Sequence, residues 1–87
     1  MQTHRRHLLL IDDDRFLGHT VNHALEDLAV TVRSCHSGAE GLRICQAKPP
    51  DIIMLDQKLP DTSGNDLCKP LLDCCEGAKI ISVPMAD

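Results

Sequence analysis

Apolar runs alternate along this chain with polar stretches that turn it. Leu8-Leu9-Leu10-Ile11 is continuous, as in a strand buried on both faces. It halts at Asp12-Asp13-Asp14, because three adjacent carboxylates cannot continue a buried strand. Asp14 suits the N-cap of the helix predicted next, over Arg15 to Leu28. Phe16, Leu17, Val21, Ala24, Leu25 and Leu28 share one face of that helix, and His19, Asn22, His23, Glu26 and Asp27 line the other. Val30 and Val32 alternate with Thr31 and Arg33, which predicts a half-buried strand ending near Cys35.

Ser37-Gly38-Ala39-Glu40 has the spacing of a capping box. The helix it opens turns Ala39, Leu42, Ile44 and Cys45 to the core, and Pro49-Pro50 closes it. Asp51-Ile52-Ile53-Met54-Leu55 is a third strand, leading to Asp56 and a turn rich in Pro60, Asp61, Ser63 and Gly64. A third helix runs from Asn65 to Glu76, with Leu67, Leu71 and Cys74 or Cys75 inward. Pro70 falls near the end of its first turn or just beyond, and Gly77 suits its C-terminus. Lys79-Ile80-Ile81-Ser82-Val83 is a fourth strand. Met1 to Arg6 reads as a loose lead-in, and Pro84 to Asp87 as a loop. Alternating strands and helices imply right-handed crossovers and a parallel sheet covered on both faces.

Composition narrows the function. With 87 residues there is room for one domain, spanning 1–87. A content of 43% hydrophobic and 25% charged residues fits a globular chain and argues against disorder. A net charge of −4 and Phe16 as the lone aromatic argue against direct nucleic acid binding, by phosphate contacts or base stacking. No apolar run is long enough for a membrane span or a signal peptide, so a cytoplasmic chain is expected. The five cysteines (Cys35, Cys45, Cys68, Cys74 and Cys75) lack a framework spacing and read as reduced core thiols. His19 and His23 have zinc-pair spacing without a third ligand, and read as exposed side chains.

The candidate chemistry lies at the strand ends. In an open parallel sheet, ligands bind at the C-terminal edge, where strand order reverses. Asp12 and Asp13 end the first strand, and Asp56 ends the third. Neighbouring strands would bring these carboxylates together, and their repulsion calls for a cation. An all-oxygen set suits Mg2+, which retains water and binds phosphate oxygens. Asp56 would then be free to act as a nucleophile toward a phosphoryl group. Asp61 reads as a turn or cap residue.

Leu8-Leu9-Leu10-Ile11-Asp12-Asp13-Asp14, then Asp51-Ile52-Ile53-Met54-Leu55-Asp56 with Pro60 and Gly64, resembles the receiver domain of two-component response regulators. The resemblance runs from about His7 to about Val83. It implies a flavodoxin-like, doubly wound α/β fold, strand order 2-1-3-4-5. It implies Asp56 as phosphoacceptor from a sensor histidine kinase, in a phosphorelay controlling an output such as transcription. It also implies Mg2+ at Asp12, Asp13, Asp56 and the main-chain carbonyl of Lys58. The family's phosphate-binding Thr or Ser at the end of strand four has two candidate positions, Ser82 and Val83. The chain stops after the fourth strand, so the order expected is 2-1-3-4. The fifth strand, the two last helices and the family's lysine at the end of strand five are then missing.

The bare edge of the fourth strand would invite a homodimer or strand exchange. The chemistry implied is self-phosphorylation and autodephosphorylation, not enzymatic turnover. Two alternatives stand beside it. One is a vestigial receiver that only binds partners. The other is a Mg2+-dependent aspartyl-phosphate hydrolase, against which stands Lys58 where such enzymes carry a second aspartate.

Overall fold

The computed structural model describes residues 5–83. The expectations for the extreme lead-in and for Pro84 to Asp87 lie outside the described residues. Seven elements alternate: β1 (Arg6–Ile11), α1 (Leu17–Ala24), β2 (Val30–Cys35), α2 (Gly38–Ala47), β3 (Ile52–Asp56), α3 (Gly64–Cys74) and β4 (Lys79–Val83). The strands form one sheet in the order β2-β1-β3-β4, and every pairing is parallel. Leu9 lies opposite Arg33 on β2 and Ile53 on β3, which fixes the register through the middle of the sheet. The expected order and the doubly wound class are both present.

Alternation along the strands divides the sheet into two faces. Ile11 and Cys35 meet α2, where Gly41 lets the helix come close: a Cβ there would stand 2.5 Å from Ile11 Cδ1. On this face Leu9, Ile11, Ile53 and Leu55 pack with Leu67 and Leu71 of α3 and Cys45 of α2. Ser34 turns the other way, toward Gly18 of α1. All five cysteines are free thiols; Cys35, Cys45 and Cys75 are buried, and burial pushes the Cys35 thiol up to about 11.

Five helical expectations are corrected, the last of them at Pro70. The first helix covers only Leu17–Ala24, and turns follow it. Asp14 Oδ1 accepts from Phe16 N at 2.9 Å, so it caps a lead-in turn rather than the helix itself. The supposed inward face of α1 is largely bare: Phe16 is 79% exposed and Leu28 56%, and Ala24 is exposed too. The physical reason is that α1 leans on β2, the edge strand, which offers little surface to cover it. Ala39 is exposed, because Gly38, Gly41 and Cys45 form the buried stripe of α2.

Pro70 is the seventh residue of α3, well inside it, because the helix starts at Gly64 on a Ser63 N-cap. Its missing N–H leaves the Asp66 carbonyl without the usual helical donor. The Ser37 capping box forms with one shift. Glu40 N donates to Ser37 Oγ at 3.2 Å, and the Glu40 carboxylate receives His36 N, also at 3.2 Å.

Candidate functional site

β1 and β3 are neighbours, and the strand order reverses between them. Their C-terminal ends therefore open onto one crevice. Asp12 follows β1 and Asp56 is the last residue of β3. Both are buried, Asp12 at 7% exposure and Asp56 at 2%, and they are the buried charged side chains among the described residues. A cavity of about 320 Å3 at this edge is lined by Asp12, Asp13, Asp14, Asp56, Lys58, Leu59 and Pro60. Sequence spacing places these groups at one edge, and the structure brings them to one cavity.

Local geometry fixes each carboxylate. Asp12 Oδ1 accepts from Asp14 N at 2.8 Å, which curls the loop after β1. Asp56 Oδ1 accepts from Lys58 N at 3.3 Å. The loop after Asp56 folds on itself: Leu59 N donates to the Thr62 carbonyl, and Gly64 N to the Gln57 carbonyl, each at 3.1 Å. Leu59 enters the core. Gly64 is required by close approach, since a Cβ would lie 2.7 Å from the Asp56 carbonyl oxygen.

The electrostatics are those of a site short of positive charge. Burial, followed by the charges of Asp56, Asp14 and Asp13, pushes the Asp12 carboxyl above its ordinary value, and the Asp14 N–H only partly offsets them. A bound cation would reverse that logic. The carboxylate oxygens that line the cavity fit Mg2+ and not a soft metal. Among the described residues no three acidic, His or Cys side chains already stand in a ligand cluster. Mg2+ tolerates this, because it keeps several waters and takes only one or two carboxylates directly.

The strand-four hydroxyl is placed differently. Ser82 pairs in register with Leu55, and Val83 pairs with Asp56. Ser82 Oγ accepts from Gln57 Nε2 at 2.8 Å, and Ser82 is not among the residues lining the acidic cavity. His19 and His23 are exposed, and His23 sits 3.5 Å from Glu26.

Two contacts had no signal in the sequence. Asp61 does cap, but it caps α2: Oδ1 accepts from Gly38 N at 2.8 Å and Oδ2 from Ala39 N at 2.9 Å. These bonds hold its carboxyl below the ordinary range. His36 Nδ1 lies 3.1 Å from the Asp12 carbonyl oxygen, which can only accept, so Nδ1 carries the proton. A cap supplied from 22 positions along the chain has no local pattern to reveal it.

The sequence and the fold both match known proteins. A family model described as the response regulator receiver domain matches residues 8–87. Response regulator MprA of Mycobacterium ulcerans is 28% identical over 80 residues, covering 92% of this chain and 34% of that protein. The photosynthetic apparatus regulatory protein RegA of Cereibacter sphaeroides is 33% identical over 76 residues, covering 87% and 41%. The chain thus spans less than half the length of these two relatives. A CheY-like receiver domain from Methanospirillum hungatei superposes with a TM-score of 0.88 at 26% identity, over 97% of this chain and 68% of that one. A response regulator from Burkholderia pseudomallei, crystallised with a phosphorylated aspartic acid, a calcium ion and citrate, gives 0.86 at 29% identity, over 94% and 48%. With four parallel strands in matching order and a family model that spans nearly its whole length, this chain belongs to the response regulator receiver domains.

Proposed function

We propose that this chain is a phosphorylatable receiver, which takes a phosphoryl group from a sensor histidine kinase onto Asp56. The carrying observation is the convergence of buried Asp12 and Asp56 on one acidic cavity at the switch point of the sheet. Asp12, Asp13, Asp56 and the Lys58 main-chain carbonyl would hold Mg2+. The bound cation supplies positive charge that offsets the clustered carboxylates and the incoming phosphoryl oxygens.

The chain's own residues do the rest. Asp56 Oδ1 is oriented by Lys58 N, and a carboxylate oxygen attacks phosphorus to form an acyl phosphate while the donor group departs. Leu59 and Gly64 hold the loop in place during that displacement. The Burkholderia relative carries a phosphorylated aspartic acid and a calcium ion, which supports the reading by similarity. A cytoplasmic location suits a kinase partner, and no described helix is long and apolar enough to cross a membrane. Control of transcription or another output would belong to the protein in which this receiver works.

A second reading has one observation in its favour. Ser82 is engaged by Gln57, and Val83 lies beside Asp56 in register, so among the described residues strand four offers no free hydroxyl to a phosphoryl group. The domain would then bind partners without phosphorylation. Self-association through the β4 edge is compatible with either reading, since β4 is an outer strand among the described residues and Ile81 is 50% exposed.

Incubation with acetyl phosphate and Mg2+, followed by intact mass, tests the proposal. A gain of one phosphoryl group that a chelator and Asp56→Asn both abolish supports the phosphorylatable receiver. No gain supports the partner-binding module, and steady release of phosphate without an adduct indicates a hydrolase.

A further inference from the structure

The acidic cavity has two walls, and they come from different loops. One is the Asp12–Asp14 loop after β1, and the other is the Asp56–Pro60 loop after β3. The entry to α2, from His36 to Ala39, touches both. His36 Nδ1 donates to the Asp12 carbonyl at 3.1 Å. Two and three residues on, Gly38 N and Ala39 N donate to the two oxygens of Asp61. The segment between these contacts is itself stiff, because Glu40 N bonds Ser37 Oγ and the Glu40 carboxylate bonds His36 N.

Packing reinforces the second contact. Gly38 is buried, and a Cβ added to it would overlap Thr62 Cγ2, the residue after Asp61. Loop and helix therefore meet at van der Waals distance as well as through two charge-assisted hydrogen bonds. The result is a closed circuit: Asp12, His36, the capped turn, Asp61, and back along the loop to Lys58 and Asp56.

We propose that Asp61 is a positioning residue for the acidic site, bridging to the first turn of α2 so that the Asp56 wall is held at a fixed distance from the Asp12 wall. The proposal rests on the phosphorylatable-receiver reading, and it concerns the grip on the divalent cation rather than the phosphoryl step. A cavity whose walls can drift apart must be drawn together when the ion binds, and that cost lowers affinity. Asp61 touches no reacting atom.

The test is a Mg2+ titration of the intact chain, read by backbone amide shifts at Asp13 and Lys58. Asp61→Asn preserves the volume but removes one strong acceptor. It should weaken Mg2+ affinity about tenfold, the lower end of what outer groups contribute to a metal site. The acetyl phosphate reaction at saturating Mg2+ should keep the wild-type plateau. His36→Ala breaks the circuit at its other end and should give the same defect. The double variant should be no worse than the weaker-binding single, as expected of one shared brace. Asp61→Glu, which keeps both oxygens, should recover part of the affinity, and His36→Ala carries the test if Asp61→Asn does not fold.

Unchanged Mg2+ affinity in Asp61→Asn, or in His36→Ala where Asp61→Asn does not fold, overturns the brace alone. Additive losses in the double variant overturn it too, since independent effects add. A wild-type chain with no saturable Mg2+ response overturns both the brace and the receiver reading.

Discussion

The two faces of the sheet are built to different standards. On the α2 and α3 face, Leu9, Ile11, Ile53, Leu55 and Leu71 are at most 1% exposed, and the helices also pack on each other. On the α1 face, Leu8 and Leu10 are buried, but Gly18 is the only buried residue of the helix. The acidic cavity straddles this divide. Its Asp56 wall is tied to the well-packed side through Leu59 and Gly64. Its Asp12–Asp14 wall leads directly into α1. One half of the site thus has a rigid foundation, and the other half a thin one. Local stability follows contact density, so the thin half is where opening is easiest.

Three experiments probe this contrast, beginning with the largest effect. Leu71→Ala should lose about 2–5 kcal/mol of stability, because it leaves a cavity in the dense face. Phe16→Ala removes a larger side chain from the α1 region and should stay within about 0.5 kcal/mol, because that ring is already in solvent. Urea midpoints at constant slope measure both, and equal losses would erase the distinction.

Glycine substitutions give the next contrast. Gly41→Ala drives a Cβ to 2.5 Å from Ile11 Cδ1 and 2.9 Å from Cγ1, against a fully buried side chain that cannot yield. A loss of about 1–3 kcal/mol is expected from such overpacking. Gly18→Ala meets Ser34 Oγ at the same 2.5 Å, but Ser34 is exposed and can rotate away. Helix propensity then favours alanine by up to about 1 kcal/mol, so the change should be neutral or stabilising. Thermal melts of the two variants should shift in opposite directions, or at least by clearly unequal amounts.

The smallest effect belongs to Asp12. Its folded carboxyl lies above the ordinary 3.8, so the folded chain holds that proton more tightly than the unfolded chain does. The group's contribution to stability therefore falls as pH rises from 3.8 through the raised folded value, and stays low above it. Asp12→Asn keeps the acceptor for Asp14 N while removing the charge. In metal-free buffer at neutral pH the variant should melt higher than the wild type. Its stability should also lack the decline across the acidic window. Added Mg2+ should raise the wild-type melt more than the variant's.

Much of this molecule could be read from the chain before the structure. The continuous Leu8–Ile11 run and the Asp51–Leu55 run each had one physical solution, a buried parallel strand, and their terminal carboxylates marked the edge that matters. Ser37 announced a helix start through local spacing and caps as expected, and Ser63, read as part of the turn, caps the third helix. What stayed hidden depended on distant partners. The apolar face of α1 has correct periodicity, yet periodicity cannot say whether anything covers Phe16 and Leu28. Ala39 shared the apolar pattern of α2, but the close approach at Gly41 rotated the contact stripe away from it. Asp61 and His36 were ordinary polar residues until the fold set both against the first turn of α2 and its neighbours. Local chemistry writes itself into spacing, whereas a bridge between two loops exists only after folding.

The central claim is that Asp56, rather than another carboxylate of the cavity, receives the phosphoryl group. Borohydride reduction of the chain after acetyl phosphate and Mg2+ treatment converts an acyl phosphate on aspartate into homoserine, which peptide mass mapping can place. Homoserine at position 56, absent when Mg2+ is chelated, is the predicted result. Homoserine at position 12, 13 or 14, or none at all under conditions that saturate the cation, would contradict the account.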